Sequence, residues 1–282
     1  MDSIEKILII GPSGLIGSKI LQYCKLKKIN ANGLSVRVTS KDDLNNDILK
    51  DKIYKLNPST IINCAALLGM KECYENSEDA FLINGYFPKY LSDICEELEL
   101  KLFQISTEAV FPSNKTTKLF NESDIPKPST IYGKSKLLGE ENVKKNSNSF
   151  IIRLPRIIDK FRQIIPVLIN KICSEDKVLI SNDTFSTPIH SECAAEELVK
   201  LILHKTGLKK ITHLTGDKIL SLFEIILQLI PTKDVEKVHP ISASFFNKDP
   251  NEEPFLNGGM SSSNNHVINF ERSILAFKNQ GV

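Results

Sequence analysis

The sequence lacks a strong excess of either charge. Its 36 lysines and arginines stand against 34 aspartates and glutamates, a net charge of +2. Nucleic acids and anionic membranes are bound by concentrated basic surface, so neither is expected as a partner. The lysines of "KLKK" (25–28) and "KKNSN" (144–148) read as solvated helix ends. No run approaches the roughly 18 apolar residues of a membrane span. There is no Cys-x-x-Cys among the six cysteines (24, 64, 73, 95, 173 and 193), and no two of the five histidines stand four apart. Those absences exclude the usual zinc spacings and a disulfide framework, so the cysteines read as buried, reduced thiols of a cytoplasmic protein. A strand-like run begins almost at the first residue, so no signal peptide is expected. Tryptophan is missing altogether, and no internal repeat is visible.

What is present is an ordinary globular composition, 41% hydrophobic and 25% charged over 282 residues, enough for a sizeable core. Short runs rich in Ile and Val alternate with helical patterns. Strands are expected at 6–11, 33–38, 59–66, 101–107 and 149–155, with helices at 15–28, at 77–98 and from about Tyr132. The strands are apolar nearly throughout, as strands covered on both faces should be. The alternation argues an α/β fold, a Rossmann-type doubly wound parallel sheet. After Pro155 the regularity loosens. A helical stretch with a proline interruption (161–173), a strand at 177–181, a helix at 191–204, a strand at 211–216 and a helix at 222–230 precede a tail read as loops with short elements. We expect residues 1–156, with 186–230 contributing, to form the dinucleotide-binding domain. Residues 157–185 and 231–282 then form a smaller C-terminal substrate-binding lobe.

"GPSGLIGS" (11–18) joins the first strand to the first helix. Gly11, Gly14 and Gly17 allow a tight turn, close approach to a pyrophosphate and close helix packing. The amides around Ser13, Leu15 and Ile16, with the helix N-terminus, supply donors for phosphate. Dinucleotide binding is the reading favoured over a plain glycine-rich turn. An acid at the end of the second strand would hold the 2′-hydroxyl of NAD, but "VRVTSK" (36–41) has none. Arg37, Thr39, Ser40 and Lys41 suit a 2′-phosphate, so NADP(H) is expected ahead of NAD(H); the alternative is that Arg37 and Lys41 are simply exposed. Asp47 lies within reach of the adenine amino group.

"IYGKSKLLGE" (131–140) sets Tyr132 and Lys136 one helical turn apart, which stacks them on one face. A phenol has a pKa of about 10, and a neighbouring ammonium favours its anion, an arrangement suited to a general acid.

Together "GPSGLIGS", "ISTEAVF" (105–111) and "YGKSKLLGE" (132–140) resemble the extended short-chain dehydrogenases/reductases, and within them the dTDP-4-dehydrorhamnose reductase-like, sugar nucleotide-binding family. Supporting stretches are "INCAALLGMKECYENSEDAFLIN" (62–84), "ESDIPKPSTIYGKSKLLGE" (122–140), "TFSTPIHSECAAEEL" (184–198) and "THLTG" (212–216). The resemblance implies an NADPH-dependent reductase of a nucleotide-linked 4-keto-6-deoxy sugar in surface polysaccharide biosynthesis. It implies that Tyr132 protonates the substrate carbonyl, that Lys136 lowers the Tyr132 pKa and holds the ribose, and that Thr107 bonds the reacting oxygen. Ala65 and Ala66 would line the cofactor path, with Asn84 near it. Departures fall on the sugar side: Glu108 and Ala109 replace an acid and an aromatic, and "RLPR" (153–156) puts Arg156 where the family has tryptophan. Glu108 and Arg156 are therefore expected at the substrate, with Arg156 either binding an anionic group or facing solvent. Leu15 occupies a position where the family has a metal-placing acid, so no metal is expected. The resemblance leaves open a nucleotide-sugar epimerase or dehydrogenase, or a non-catalytic NADP-binding partner like the beta subunit of methionine adenosyltransferase. It also allows a homodimer through the 77–98 and Tyr132 helices.

Overall fold

The computed structural model describes residues 5–113, 118–204, 208–246, 256 and 258–281. Strand β1 (Ile7–Ile10) runs through the glycine turn into helix α1 (Leu15–Leu26), then to strand β2 (Ala31–Leu34) and helix α2 (Ile48–Leu56). Strand β3 (Thr60–Asn63) precedes helices α3 (Met70–Glu75), α4 (Ser77–Phe81) and α5 (Phe87–Glu97). Strand β4 (Lys101–Thr107), helix α6 (Ile131–Lys144) and strand β5 (Ser149–Leu154) follow. Next come strand β6 (Ile157–Ile158), helix α7 (Ile164–Ser174), and strands β7 (Val178–Ser181), β8 (Phe185–Ser186) and β9 (Ile189–His190). Helix α8 (Ser191–His204), strand β10 (Ile211–His213), and helices α9 (Leu222–Leu229) and α10 (Phe270–Asn279) end the series.

Six strands form one parallel sheet in the order β10-β5-β4-β3-β1-β2. The order reverses between β1 and β3, and open sheets of this kind bind ligands at such a switch point, beyond the carboxyl ends of the strands. Alternation along β1 explains why its run is apolar throughout. Ile7 and Ile9 enter the core made with α1 and α8, while Leu8 and Ile10 enter the core made with α2 and α5. Each such side chain, fully buried, is worth about 1.5–3 kcal/mol. A separate core joins Ile158, Ile165, Ile172, Ile225, Phe270 and Phe277 beside the sheet. There β7 pairs in parallel with residues Val238–Ile241.

Several elements differ from expectation. The second strand covers 31–34 rather than 33–38, because it is an edge strand with β1 as its sheet neighbour. Its partners Ile7–Ile10 end where Gly11 turns away. The helix expected over 77–98 is broken by a π-turn at Leu82–Tyr86. Pro88 has no N–H to give the Asn84 carbonyl four residues back, and that carbonyl instead faces Gly139, where a Cβ would meet it at 2.2 Å. Helices α2, α3 and α10 were not anticipated, and α10 lies in the tail read as loops. The expected strand 211–216 bends at Leu214, so that Thr215 and Gly216 pair with Val267 and Ile268. Pro166 sits in the first turn of α7 and does not interrupt it. Among the cysteines Cys173 is exposed, and the rest are buried or partly buried, all with free thiols.

Candidate active site

The carboxyl ends of β1, β3, β4 and β5 bring the expected residues to one side of the sheet. Gly11 has φ +78°, and a Cβ on it would meet the Ala65 nitrogen at 2.8 Å. The Ala65 amide itself donates to Asn63 Oδ1 at 3.1 Å, and Asn63 is fixed by Gln104 at 2.8 Å. The turn after β1 and the end of β3 are thus pressed together, with Ala65 beside Gly11 and Ala66 next along the chain. Gly14 caps α1 without any side-chain acceptor, and the first turn carries no acid. Its donors are therefore left for a ligand anion. Leu15 is buried in the core and Ile16 packs against it, so these two offer backbone rather than side chain. The Ser13 carbonyl accepts from Arg162 Nη1 at 2.7 Å. Arg162 was not anticipated, because it lies far along the chain outside any motif.

Beyond β2, exposed Arg37 lines a cleft with Val36, Val38, Asp43, Asn46 and Tyr90. Asp43 accepts from Thr39 N and Oγ1 and from Ser40 N at 2.7–3.1 Å, which holds its carboxyl below the usual range. Asp47 does not line this cleft. It is exposed at the start of α2, 3.7 Å from Lys50, while the preceding Asn46 carbonyl accepts from the Tyr90 hydroxyl.

Tyr132 and Lys136 lie in the first turns of α6, which Thr130 caps by accepting from Gly133 N at 3.1 Å. Tyr132 lies beside Thr107 at the end of β4, whose hydroxyl favours the phenolate. Burial pushes the phenol up to about 12, with Thr107 opposing and Cys73 and Glu108 adding. The lowering expected from Lys136 is absent, because its ammonium turns to the Ile105 carbonyl at 2.7 Å. Burial in turn drives Lys136 down to about 8, with Glu140 opposing. Asn84 is buried at the π-turn; it brackets Leu67 through both amide atoms at 2.9 and 3.0 Å and donates to Ser135 Oγ at 3.0 Å. Its side chain joins the loop after β3 to α6, as suits a site carried by a π-turn.

On the adjoining side Glu108 is buried and accepts from Ser186 Oγ at 2.7 Å. Desolvation raises its pKa to about 8, against the attraction of Arg156. Arg156 does not face solvent freely: its Nη1 is buried, with no hydrogen-bond partner among the described residues. Ser186 and the buried trio Ser106, Glu140 and Arg153 were missed. Arg153 inside an otherwise apolar strand, and Glu140 eight residues after Tyr132, were the available signals.

The RmlD substrate binding domain model matches residues 5–261. The spore coat polysaccharide biosynthesis protein SpsK of Bacillus subtilis is 25% identical over 82% of this chain and 80% of its own length. The dTDP-4-dehydrorhamnose reductase of Aggregatibacter actinomycetemcomitans is also 25% identical, over 83% and 81%. In fold, the chain resembles a dTDP-4-dehydrorhamnose reductase from Clostridium acetobutylicum (TM-score 0.86, 24% identity, 97% and 98% covered). It likewise resembles one from Bacillus anthracis in complex with NADP (TM-score 0.85, 20% identity, 99% and 100% covered).

Proposed function

The chain belongs to the RmlD substrate binding domain family, and on that premise we propose that it is an NADPH-dependent reductase of a nucleotide-linked 4-keto-6-deoxy sugar, serving polysaccharide biosynthesis. The observation that carries the reading is the meeting of Tyr132 on α6 with Thr107 at the end of β4, with Lys136 one turn along the same helix and seated on the Ile105 carbonyl of that strand. The relatives' names, with SpsK tied to a polysaccharide and others to dehydrorhamnose reduction, support the substrate class.

A dinucleotide fits the turn after β1. Glycine at 11 and 17 leaves a cradle that a Cβ would fill, and the uncapped start of α1 faces it. Gly11, Gly14, Gly17 and the amides of Ser13, Leu15 and Ile16 would hold the pyrophosphate, with Ala65, Ala66 and Asn84 along the path. Arg37 in the cleft beyond β2 favours a 2′-phosphate, and the carboxylate that shares the cleft, Asp43, is already engaged by Thr39 and Ser40. When bound, the reduced nicotinamide supplies the hydride that the keto carbon receives.

The protein's part is the proton. Tyr132, neutral at working pH because burial raises its pKa, donates its phenolic proton to the carbonyl oxygen. Thr107, beside that hydroxyl, would bond the same reacting oxygen. Lys136, seated on the Ile105 carbonyl, would hold the nicotinamide ribose beside it. Glu108 and Arg156 border the sugar, and the lobe made by 157–185 and 231–282 takes the glycosyl nucleotide. A homodimer through the α5 and α6 side and a cytoplasmic setting, which free thiols suit, belong to the same proposal. No helix among the described residues is long and apolar enough to cross a membrane.

The test mixes the protein with NADPH and dTDP-4-keto-6-deoxy sugars and follows loss of the reduced-nicotinamide absorbance, with NADH as control. Turnover should occur and fall by about 10²–10⁴-fold in Tyr132→Phe. NADPH binding with no turnover on any nucleotide sugar would refute the reductase and favour a binding role.

A further inference from the structure

Two consecutive residues of β4 each hold one turn of α6, and the next lies beside a third. The Ile105 carbonyl accepts from Lys136 Nζ at 2.7 Å, Ser106 Oγ donates to Glu140 Oε1 at 2.5 Å, and Thr107 adjoins Tyr132. Tyr132, Lys136 and Glu140 therefore form a ladder on one helix face, spaced four and eight residues.

Glu140 cannot drift from this position. Arg153 Nε and Nη2 donate to its two oxygens at 2.9 and 2.7 Å, a bidentate pair with both residues at most 3% exposed. Arg153 is itself pinned by His213 Nε2 at 3.3 Å and by the Phe111 ring at 5.0 Å. Such a pair is weak support for stability, since desolvation offsets the attraction. A second role for the carboxylate explains its place in the ladder.

Resting on the reductase reading above, we infer that Glu140 is a positioning residue for Lys136. Its carboxylate, clamped by Ser106 and Arg153, is the fixed counter-charge that keeps the buried ammonium charged and seated on the Ile105 carbonyl.

The groups around Lys136 single Glu140 out. Cys64 beyond β3 and Cys73 on α3 are pushed up by burial to about 12 and about 11, so both are neutral. His213 on β10 is held below its ordinary value by burial and Arg153, and stays neutral too. Glu108, beyond Tyr132, acts on the phenol. Arg153 on β5 is engaged by the Glu140 carboxylate. Among the described residues Glu140 thus supplies the negative charge. Burial already brings Lys136 to about 8, and without Glu140 it would be largely uncharged at neutral pH.

The test reads Lys136 without substrate. Protein carrying ¹³C at lysine Cε is titrated by NMR, with the Lys136 resonance assigned by its loss in Lys136→Arg. Glu140→Gln combined with Arg153→Met removes both charges, so neither is left buried without its counter-charge; Glu140→Gln with Arg153→Gln, which keeps a polar group near His213, replaces it should that pair fail to fold. The Lys136 midpoint should drop by about one pH unit or more, and the basic limb of kcat/KM should move with it, because turnover requires the ammonium. An unchanged midpoint in a folded double variant overturns the inference. A lowered midpoint in a protein that turns over no sugar nucleotide would refute the reductase reading while upholding the link between Glu140 and Lys136.

Discussion

A Cβ on Gly17 would lie 2.3 Å from the carbonyl oxygen of Gly11, the residue that opens the same turn. The obstacle is backbone, which cannot swing aside as a side chain can. Gly17→Ala must separate α1 from the turn, at a cost of about 1–3 kcal/mol. NADPH affinity should fall at least about tenfold if the turn holds the pyrophosphate. At Gly14 the same atom is 3.3 Å away, so Gly14→Ala should be much milder. Fluorescence titration of both variants with NADPH checks the contrast, and equal losses would argue against the steric account.

Asn84 gives a prediction on the scaffold behind the site. Its amide holds Leu67 and Ser135 together from a fully buried position. Asn84→Leu strands the Leu67 amide and leaves the Leu67 carbonyl only the weak Cys73 thiol donor, and an unsatisfied buried group costs about 1–3 kcal/mol. Urea unfolding should show that loss, and Tyr132→Phe in the same background should add independently. A variant as stable as the parent would mean that water replaces the amide.

These two positions show what a sequence can reveal. The glycine turn was legible because its chemistry is local: strand, three spaced glycines and helix occupy adjacent residues. The sheet was legible for a similar reason, since burial on both faces leaves uninterrupted runs such as "KILII". Asn84 was placed near the cofactor path, but its bonds to Leu67 and Ser135 span 17 and 51 residues, and no pattern in a single chain encodes them. The π-turn beneath it depends on Pro88 and on the approach of α6. Edge strand β2 was misplaced because its end is set by where β1 stops, not by its own residues. The missed Glu140–Arg153 pair belongs to the same class, joining a helix to a strand across the core.

Arg156 tests the sugar side. Its buried Nη1 has no partner among the described residues, and a charged donor left unsatisfied is costly. If the sugar supplies the acceptor, Arg156→Met should raise KM by about 10–150-fold, the worth of a charged hydrogen bond of roughly 1.5–3 kcal/mol. NADPH affinity should be unchanged. Steady-state kinetics beside direct cofactor titration separates the two. A KM equal to that of the parent would place Arg156 outside the substrate contact.

Glu108 makes stability depend on pH in an unusual direction. Its folded pKa, about 8, lies above the ordinary value of 4.5, so the folded state holds a proton that the unfolded chain releases. Between about pH 4.5 and 8 the unfolded state binds fewer protons, and stability must fall as pH rises. Below this window the contribution is fully present; above it the contribution is gone. Glu108→Gln keeps an acceptor for Ser186 but cannot ionise, so it should escape this decline. Urea midpoints at pH 5 and pH 8 should therefore converge or cross between the two proteins. The variant should gain on the parent by about 2 kcal/mol or more over that interval. Parallel profiles would mean that Glu108 stays ionised, with Arg156 neutralising it at close range, and the pocket beside Tyr132 would then carry a fixed ion pair instead of a proton.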